Sequence, residues 1–338
     1  MRLLVTGGAG FIGSEYVRLT LREHAEDSVT VLDKLTYAGN PANLDEVRDD
    51  PRFRFVEGDI CDRDIVTGLV EACDVVVNFA AESHVDRSLE APGQFIQTDV
   101  YGTFVLLDAV RAAGHERFLH VSTDEVYGEV LEGCSREDDC LRPRSPYSAS
   151  KAGGEMLVAA YRASYGTPAI ITRGSNTYGP HQYPEKIIPL FITNALEDRQ
   201  LPIYGDGSAI RDYIFVEDHC RGIDAALRRG EPGAVYNVGA GSQIDGVTVA
   251  ETVLRLLDKP LSLKQFVRDR PGHDHRYALD SSRLQALGWE SRVDFEQGMT
   301  RTVRWYAENT DWWRPLKSGA FWEFYRRNYR PAAGQPSR

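Results

Sequence analysis

Short apolar runs alternate with amphipathic segments along the first half of the chain. Apolar, β-branched runs predict buried strands, and apolar residues recurring at about the 3.6-residue period predict helices. The predicted strands cover 2–6, 29–32, 53–56, 74–79, the run that ends at Thr123, 169–172 and 235–238. The predicted helices cover the segment that ends near 21, 92–113, 146–165 and 247–257. This alternation predicts an α/β fold with a mainly parallel, doubly wound sheet and helices on both faces.

The first predicted strand leads directly into a glycine-rich loop. Residues 7–13 read Gly-Gly-Ala-Gly-Phe-Ile-Gly, and an amphipathic segment follows. Such glycines permit a tight turn and let the backbone approach a pyrophosphate, while the helix N-terminus offers unpaired N–H groups. The spacing, Gly-x-x-Gly-x-x-Gly, is close to the dinucleotide fingerprint and predicts cofactor contacts at Gly7, Gly10, Phe11, Ile12 and Gly13.

Residues at the next strand ends extend this predicted dinucleotide site. Asp33 follows the last glycine by about 20 residues, where a carboxylate can accept hydrogen bonds from both adenosine ribose hydroxyls. Asp59 and Ile60 can border an adenine, although Asp59 could equally cap a helix. Small residues at Ala80 and Ala81 would let a flat ring lie against the backbone.

The cofactor is predicted to be NAD, because the Asp33 carboxylate would repel a 2′-phosphate. Arginine is absent from the positions just after it, although Lys34 leaves NADP open. We therefore predict a Rossmann-type NAD-binding domain over 1–174, with returning segments from about 213–240.

After Arg173 the pattern changes to loops rich in Gly, Pro, Tyr and Asn. Segments of this kind are typical of a substrate-binding region, so we predict a smaller C-terminal α/β substrate-binding subdomain over 175–330. Residues 201–213 are typical of a hairpin-like element, and the polar tail 331–338 is predicted to be disordered.

An acid pair follows the fifth predicted strand in the sequence Thr123-Asp124-Glu125. Adjacent residues of a regular strand point to opposite faces, so both acids could reach one substrate only if the strand ends or twists at Thr123. The carboxyl ends of parallel strands carry the chemistry of α/β folds. We therefore expect all three side chains in the crevice.

Tyr147 and Lys151 lie on one face of a helix that Ser145 and Pro146 introduce. A lysine ammonium beside a phenol favours the phenolate and lowers a tyrosine pKa that is about 10 when unperturbed. The pair could instead be an ordinary helix surface pair, and the acids a solvated turn. The glycine loop and the acid pair together favour a catalytic role.

The composition of this 338-residue chain limits the kinds of molecule that it can bind. The chain is 42% hydrophobic and 26% charged. Its formal net charge of −11 argues against nucleic acid and anionic membranes, which select basic surfaces. An anionic ligand would need local arginines, and Arg211, Arg270 and Arg276 are the natural candidates for a diphosphate. No apolar run is long enough to span a bilayer.

The five cysteines show no Cys-x-x-Cys pair and no metal-ligand spacing, so no metal is expected. Because a strand begins at once, we expect no signal peptide and a cytoplasmic location. Cys134 and Cys140 could meet, although free thiols are favoured in a reducing compartment.

The motifs together resemble the extended short-chain dehydrogenase/reductase family, and within it the dTDP-glucose 4,6-dehydratases. The resemblance covers nearly the whole chain, and its most specific part is the Thr-Asp-Glu triplet. It is carried by 6–13, 33–40, 80–87, 122–128, Tyr147 with Lys151, 184–186, 270–274 and 312–316.

The resemblance implies a role for each of the catalytic residues. Tyr147, with Thr123, removes the 4-hydroxyl proton while NAD takes the C4 hydride, and Lys151 binds the nicotinamide ribose. Glu125 then abstracts the C5 proton, and neutral Asp124 protonates the departing 6-hydroxyl. Elimination of water beside a carbonyl does need one base and one acid.

Further contacts follow from the same resemblance. It places cofactor contacts at Lys34 and Thr36. The implied substrate-binding residues are Ser83, His84, Asn176, Lys186, Pro202, Tyr204, Arg211, Arg270 and His273; from the residues alone, His84 is an even choice between a ligand contact and a surface loop. The chain departs from the family pattern at Asp99, Ala209, Gln243 and Gly246, which leaves the nucleotide base and the sugar open.

Other functions remain open from the sequence. An NAD-dependent sugar nucleotide 4-epimerase or decarboxylase would share the fold, and a non-catalytic dinucleotide-sensing protein represents another class. The resemblance also implies a homodimer formed through 92–113 and 147–165.

Overall fold

The structure, a computed structural model, describes residues 1–270 and 272–329. Its largest unit is a sheet of seven parallel strands in the order β10-β6-β5-β4-β1-β2-β3. These strands are β1 (Arg2–Thr6), β2 (Ser28–Asp33), β3 (Phe53–Glu57), β4 (Val75–Asn78), β5 (Arg117–Thr123), β6 (Ala169–Gly174) and β10 (Val235–Val238). The predicted Rossmann-type sheet is confirmed. The tail predicted to be disordered, 331–338, lies outside the described residues.

Helices cover both faces of the sheet. The helices of the described residues, including those of a second core, are α1 (Phe11–Glu23), α2 (Arg63–Glu71), α3 (Val85–Glu90), α4 (Pro92–Phe95), α5 (Thr103–Ala113), α6 (Pro146–Tyr165), α7 (Ile187–Leu196), α8 (Val216–Arg229), α9 (Gly246–Leu256), α10 (Ser282–Gln285), α11 (Phe295–Glu308), α12 (Thr310–Trp313) and α13 (Gly319–Asn328). Leu3 and Val5 pack into the core beneath α1 and α8, and Leu4 packs into the core beneath α2, α5 and α6. Burial on both faces explains why these strands have continuous apolar runs.

A second hydrophobic core lies beside the large sheet, among α7, α9 and α11. Its strands are β7 (Asn176–Tyr178), β8 (Leu201–Tyr204), β9 (Ile210–Phe215), β11 (Gln243–Asp245) and β12 (Lys264–Val267). The hairpin predicted over 201–213 is wrong: β8 pairs with β12, whereas β9 pairs with β7 and β11. The predicted domain boundaries stay a prediction.

The segment predicted as one helix over 92–113 is interrupted. A π-helical stretch, Ile96–Gly102, separates α4 from α5 and carries the buried side chain of Asp99. Such π-helical stretches often occur at functional sites. Within the described residues, no helix combines the length and apolarity needed to cross a bilayer.

Candidate active site

A long cavity follows the carboxyl ends of the central strands, where an α/β sheet binds its ligands. Every residue predicted to contact the cofactor lines this first cavity, as do Thr123, Asp124, Glu125 and Ser83. A second cavity adjoins it, because Glu125, Asn176 and Lys186 line both. The second cavity is also lined by the remaining predicted substrate-binding residues, His84, Pro202, Tyr204, Arg211, Arg270 and His273. The structure therefore places the expected residues in two joined cavities, and their individual roles stay predictions.

The glycine loop forms a close-fitting cradle at one end of the first cavity. Gly7 has a φ of +69°, and a Cβ there would lie 2.6 Å from the Ala80 backbone nitrogen. Gly10 caps α1 without a side-chain hydrogen bond, and Phe11, Ile12 and Gly13 of the first helical turn line the cavity. A helix N-terminus of this kind favours a phosphate, so the loop fits the pyrophosphate of a dinucleotide.

Asp33 is held at the end of β2 by backbone donors. Its carboxylate accepts hydrogen bonds from the Ala9 nitrogen at 2.9 Å and the Leu35 nitrogen at 2.8 Å. The ammonium of Lys34 pairs with Asp59 at 2.6 Å, so its charge is already compensated and is not free to attract a 2′-phosphate. These contacts fit NAD better than NADP.

The chain turns sharply where the acid pair begins. The last strand residue is Thr123, and Asp124–Tyr127 form a turn of 3₁₀ helix. The Thr123 hydroxyl accepts a hydrogen bond from the Glu125 nitrogen at 3.3 Å and donates to the Asp124 carboxylate at 3.2 Å. The prediction that the strand ends at Thr123 is confirmed, and the turn brings both carboxyls to one cavity.

The two acids differ in their electrostatic surroundings. Burial, followed by the charges of Glu125 and Asp212, raises the pKa of Asp124 well above its ordinary value. Burial also raises the pKa of Glu125, but the nearby cations Arg270, Lys186 and Arg211 oppose that rise. Neighbouring acids whose pKa values are pushed apart are suited to acid and base roles. These surroundings suit Asp124 to the role of an acid and Glu125 to that of a base.

Tyr147 lies on α6, whose N-terminus carries a capping box formed by Ser145 and Ser148. Burial, then the charges of Glu125 and Asp99, raises the pKa of Tyr147 well above its usual value, and its hydrogen bond to Thr123 only partly offsets this. The net shift of the Tyr147 pKa is therefore upward, opposite to the direction expected from Lys151. The ammonium of Lys151 instead donates to the Val121 carbonyl at 2.8 Å.

The π-helical stretch places the carboxyl group of Asp99 against α6. Asp99 accepts hydrogen bonds from the Ser150 hydroxyl at 2.6 Å and from the Glu82 nitrogen at 3.0 Å. Burial raises its pKa to about 6 despite the opposing charge of Lys151. Asp99 thus links the loop after β4 to the helix that carries Tyr147 and Lys151.

The second cavity is lined by cations and aromatic rings. The guanidinium of Arg270 lies 3.4 Å from the Asp86 carboxylate and 5.9 Å from the centre of the Tyr204 ring. Arg211 donates to the carbonyls of Ile210 and Asp274, both at 2.8 Å. These side chains can hold an anion beside a flat ring.

Arg276, the third arginine expected at a diphosphate, lines neither cavity. Its guanidinium donates at 2.9 Å to the Val130 and Gly133 carbonyls and to Gln243. The expectation was wrong because this side chain is hydrogen-bonded to a surface loop.

The chain departs from the family pattern at Ala209, Gln243 and Gly246. Of these residues, Ala209 and Gly246 line the second cavity and Gln243 does not.

Several lining residues were not predicted from the sequence. In the first cavity they include Thr98, Ser122, Ser175, Thr177, Gln182, Tyr183 and His219. In the second cavity they include Asp86, Glu185, Tyr213 and Tyr329. Asp86 could have been found from its place in the 80–87 motif, whereas Tyr329 follows α13 and no local pattern links it to the site.

This combination of a Rossmann sheet, a Tyr-x-x-x-Lys helix and an acid pair defines an extended short-chain dehydrogenase/reductase that acts by proton and hydride transfer. The model of the GDP-mannose 4,6 dehydratase family matches residues 4–302, so the chain belongs to that family.

Its relatives include dTDP-glucose 4,6-dehydratases, and the resemblance seen in the motifs is confirmed. The dTDP-glucose 4,6-dehydratase of Streptomyces niveus is 48% identical, over 94% of this chain and 96% of its own. The low-salt glycan biosynthesis protein Agl12 of Haloferax volcanii is 51% identical, over 90% and 98%. The crystal structure of DesIV, a dTDP-glucose 4,6-dehydratase from Streptomyces venezuelae with NAD and TYD bound, is 49% identical, covers 94% and 100%, and has a TM-score of 0.92.

Proposed function

We propose that the protein is an NAD-dependent dTDP-glucose 4,6-dehydratase, a hydro-lyase that forms dTDP-4-keto-6-deoxyglucose. The observation that carries the proposal is the pair of acids, buried Asp124 and half-buried Glu125, beside Tyr147 in one cavity. A 4-epimerase needs the tyrosine but no acid and base for loss of water. The relatives named dTDP-glucose 4,6-dehydratase support the same reaction.

The proposed cycle begins at C4 of the sugar. Tyr147 takes the 4-hydroxyl proton, and Thr123, which lines the same cavity, shares the hydrogen bond to that hydroxyl. Bound NAD⁺ supplies the hydride acceptor at C4, later returns that hydride to C6, and carries a positive ring that favours the Tyr147 phenolate. Lys151 lies one helical turn further along α6, where it can bind the nicotinamide ribose.

The resulting 4-ketone acidifies the C5 proton, which Glu125 removes and gives back to C5 when the hydride is added at C6. Asp124 stays protonated in its buried position and delivers its proton to the departing 6-hydroxyl. A positioned acid or base of this kind contributes about 10²- to 10⁴-fold to a rate. Because the hydride is returned in each turnover, the reaction needs no added reductant.

We propose that the second cavity holds the nucleoside diphosphate. Arg270 and Arg211 would bind the phosphates, and Tyr204 would stack against the base. Ala209 and Gly246, where the chain departs from the family pattern, line this cavity. A comparison of nucleotide sugars therefore tests the choice of base.

Incubation with dTDP-glucose is expected to give a 4-keto-6-deoxy product without added reductant. The melting temperature should rise more with this nucleotide sugar than with the UDP or GDP analogues at equal concentration, because tighter binding to the native state stabilises it more. Mass spectrometry of the product and thermal denaturation measure the two results. A product that keeps its 6-hydroxyl would support an epimerase, and no product from any nucleotide sugar would support a dinucleotide-sensing protein.

We further propose a homodimer formed by the helices of 92–113 and α6. Large apolar side chains on these helices are exposed, among them Ile96 at 53%, Met156 at 54% and Tyr165 at 60%. Exposed apolar patches of this kind mark interaction surfaces.

A cytoplasmic location is proposed as well. It is supported by the cysteines, none of which is paired among the described residues.

Light scattering is expected to show a dimer at micromolar protein concentration. Met156→Arg should shift the protein towards a monomer, because it introduces a charge into the proposed apolar interface. Leu261→Arg is the matched control, because Leu261 is similarly exposed at 56% but lies outside both helices. A monomeric wild type, or a Met156→Arg variant as dimeric as the control, would contradict the proposed interface.

A further inference from the structure

The wall of the first cavity beyond Tyr147 carries polar atoms that the proposed mechanism does not use. His219, at the start of α8, is 2% exposed, and its Nε2 atom has no hydrogen-bond partner. The Oγ of Ser175 and the Oε1 of Gln182 are likewise buried without partners. All three residues line the cavity. Buried polar atoms normally have partners, so this group indicates a ligand contact.

The hydrogen bonds of Thr177 fix which ring nitrogen of His219 carries the proton. The Thr177 hydroxyl lies 2.7 Å from Nδ1 of His219 and donates to the Ser175 carbonyl at 3.1 Å. A hydroxyl has a single proton and a carbonyl can only accept. Both bonds form only when Nδ1 is the donor to the Thr177 oxygen, and that tautomer leaves Nε2 as a bare acceptor.

The imidazole stays neutral, because burial lowers the pKa of His219 to about 4. Gln182 adds a second acceptor: its Nε2 donates to the Thr177 carbonyl at 2.9 Å, which leaves Oε1 free. Acceptors repel the oxygens of a pyrophosphate but match the N–H donors of an amide.

The place of His219 in the fold selects one part of the cofactor. Its ring packs against Gly174, where an added Cβ would overlap it, and Gly174 pairs with Thr123 across the sheet. A dinucleotide that extends from Asp33 over the glycine loop to Lys151 brings its nicotinamide to this end of the cavity. We propose that His219, held by Thr177, is a positioning residue that accepts a hydrogen bond from the carboxamide N–H of the nicotinamide.

This inference rests on NAD as the cofactor of the proposed function and concerns recognition rather than chemistry. The carboxamide fixes the rotation of the ring and therefore which face meets the sugar. The probe is 3-acetylpyridine adenine dinucleotide, which has a methyl group in place of the amide nitrogen and cannot donate this bond.

In the test, the full-length protein is incubated with equal concentrations of NAD and the acetylpyridine analogue until the ratio of the two bound dinucleotides no longer changes. Chromatography of the released dinucleotides then gives that ratio. Wild type is expected to retain NAD about five- to tenfold in excess, the effect of one buried hydrogen bond. His219→Leu should retain the two within about twofold of each other, whereas His219→Gln, which keeps an acceptor, should discriminate like wild type.

His115→Leu is the control, because His115 is half-buried and bonds the Val70 carbonyl away from both cavities. Equal retention of both dinucleotides by wild type, or wild-type discrimination by His219→Leu, would overturn the inference and leave the proposed reaction intact. A wild type that retains neither dinucleotide would overturn the proposed cofactor as well.

Discussion

Glu125→Gln is expected to lower the turnover of dTDP-glucose about 10²- to 10⁴-fold. The amide keeps the size of the side chain and its place between the two cavities, but it cannot accept the C5 proton. Oxidation at C4 depends on Tyr147 and precedes this step. The variant should therefore accumulate reduced nicotinamide when it is mixed with substrate, whereas wild type should not.

Two measurements distinguish this outcome from a general loss of activity. Solvent deuterium should enter C5 with wild type and not with Glu125→Gln, and near-ultraviolet absorbance should report the reduced nicotinamide. Glu132→Gln is the control, because Glu132 is exposed in the loop after the same strand. Full turnover by Glu125→Gln would assign the base to another residue.

The central sheet could be predicted from the sequence because its signal is local. Most of its strands are buried on both faces and therefore appear as apolar runs, and the glycine loop and Asp33 identify the ends of β1 and β2. Helix α6 was predicted with its observed bounds, because Ser145 and Pro146 mark its start and Gly166 marks its end in the left-handed conformation.

The elements that could not be predicted depend on distant partners. The strands β8 and β9 are adjacent in sequence and suggested a hairpin, but β8 pairs with residues some sixty positions later, at Lys264–Val267. The π-helical stretch around Asp99 lies within a segment whose apolar residues were interpreted as one continuous helix. Local pattern cannot reveal either feature, because each is decided by tertiary contacts.

The residues of the candidate site likewise fall into those that local sequence motifs predicted and those that they did not. The acid pair, the tyrosine and the lysine lie in compact motifs, and the structure brings them to one cavity as predicted. The lowered tyrosine pKa was not found, because a four-residue spacing gives no information on burial or on the direction of the Lys151 ammonium. Tyr329 follows α13 and His219 lies at the start of α8, and no local pattern links either residue to the cavities.

Tyr147→Phe is expected to lower turnover by a similar factor, about 10²- to 10⁴-fold, but at an earlier step. Without the phenol no group takes the 4-hydroxyl proton, so neither reduced nicotinamide nor deuterium at C5 should appear. Stability should change by no more than about 1.5 kcal/mol, since only the hydroxyl is removed and the aromatic ring is kept. Tyr165→Phe, at the exposed end of the same helix, controls for the loss of a hydroxyl. If Tyr147→Phe accumulated reduced nicotinamide as Glu125→Gln should, another group would have to take the first proton, and the order of steps assigned to this cavity would be wrong.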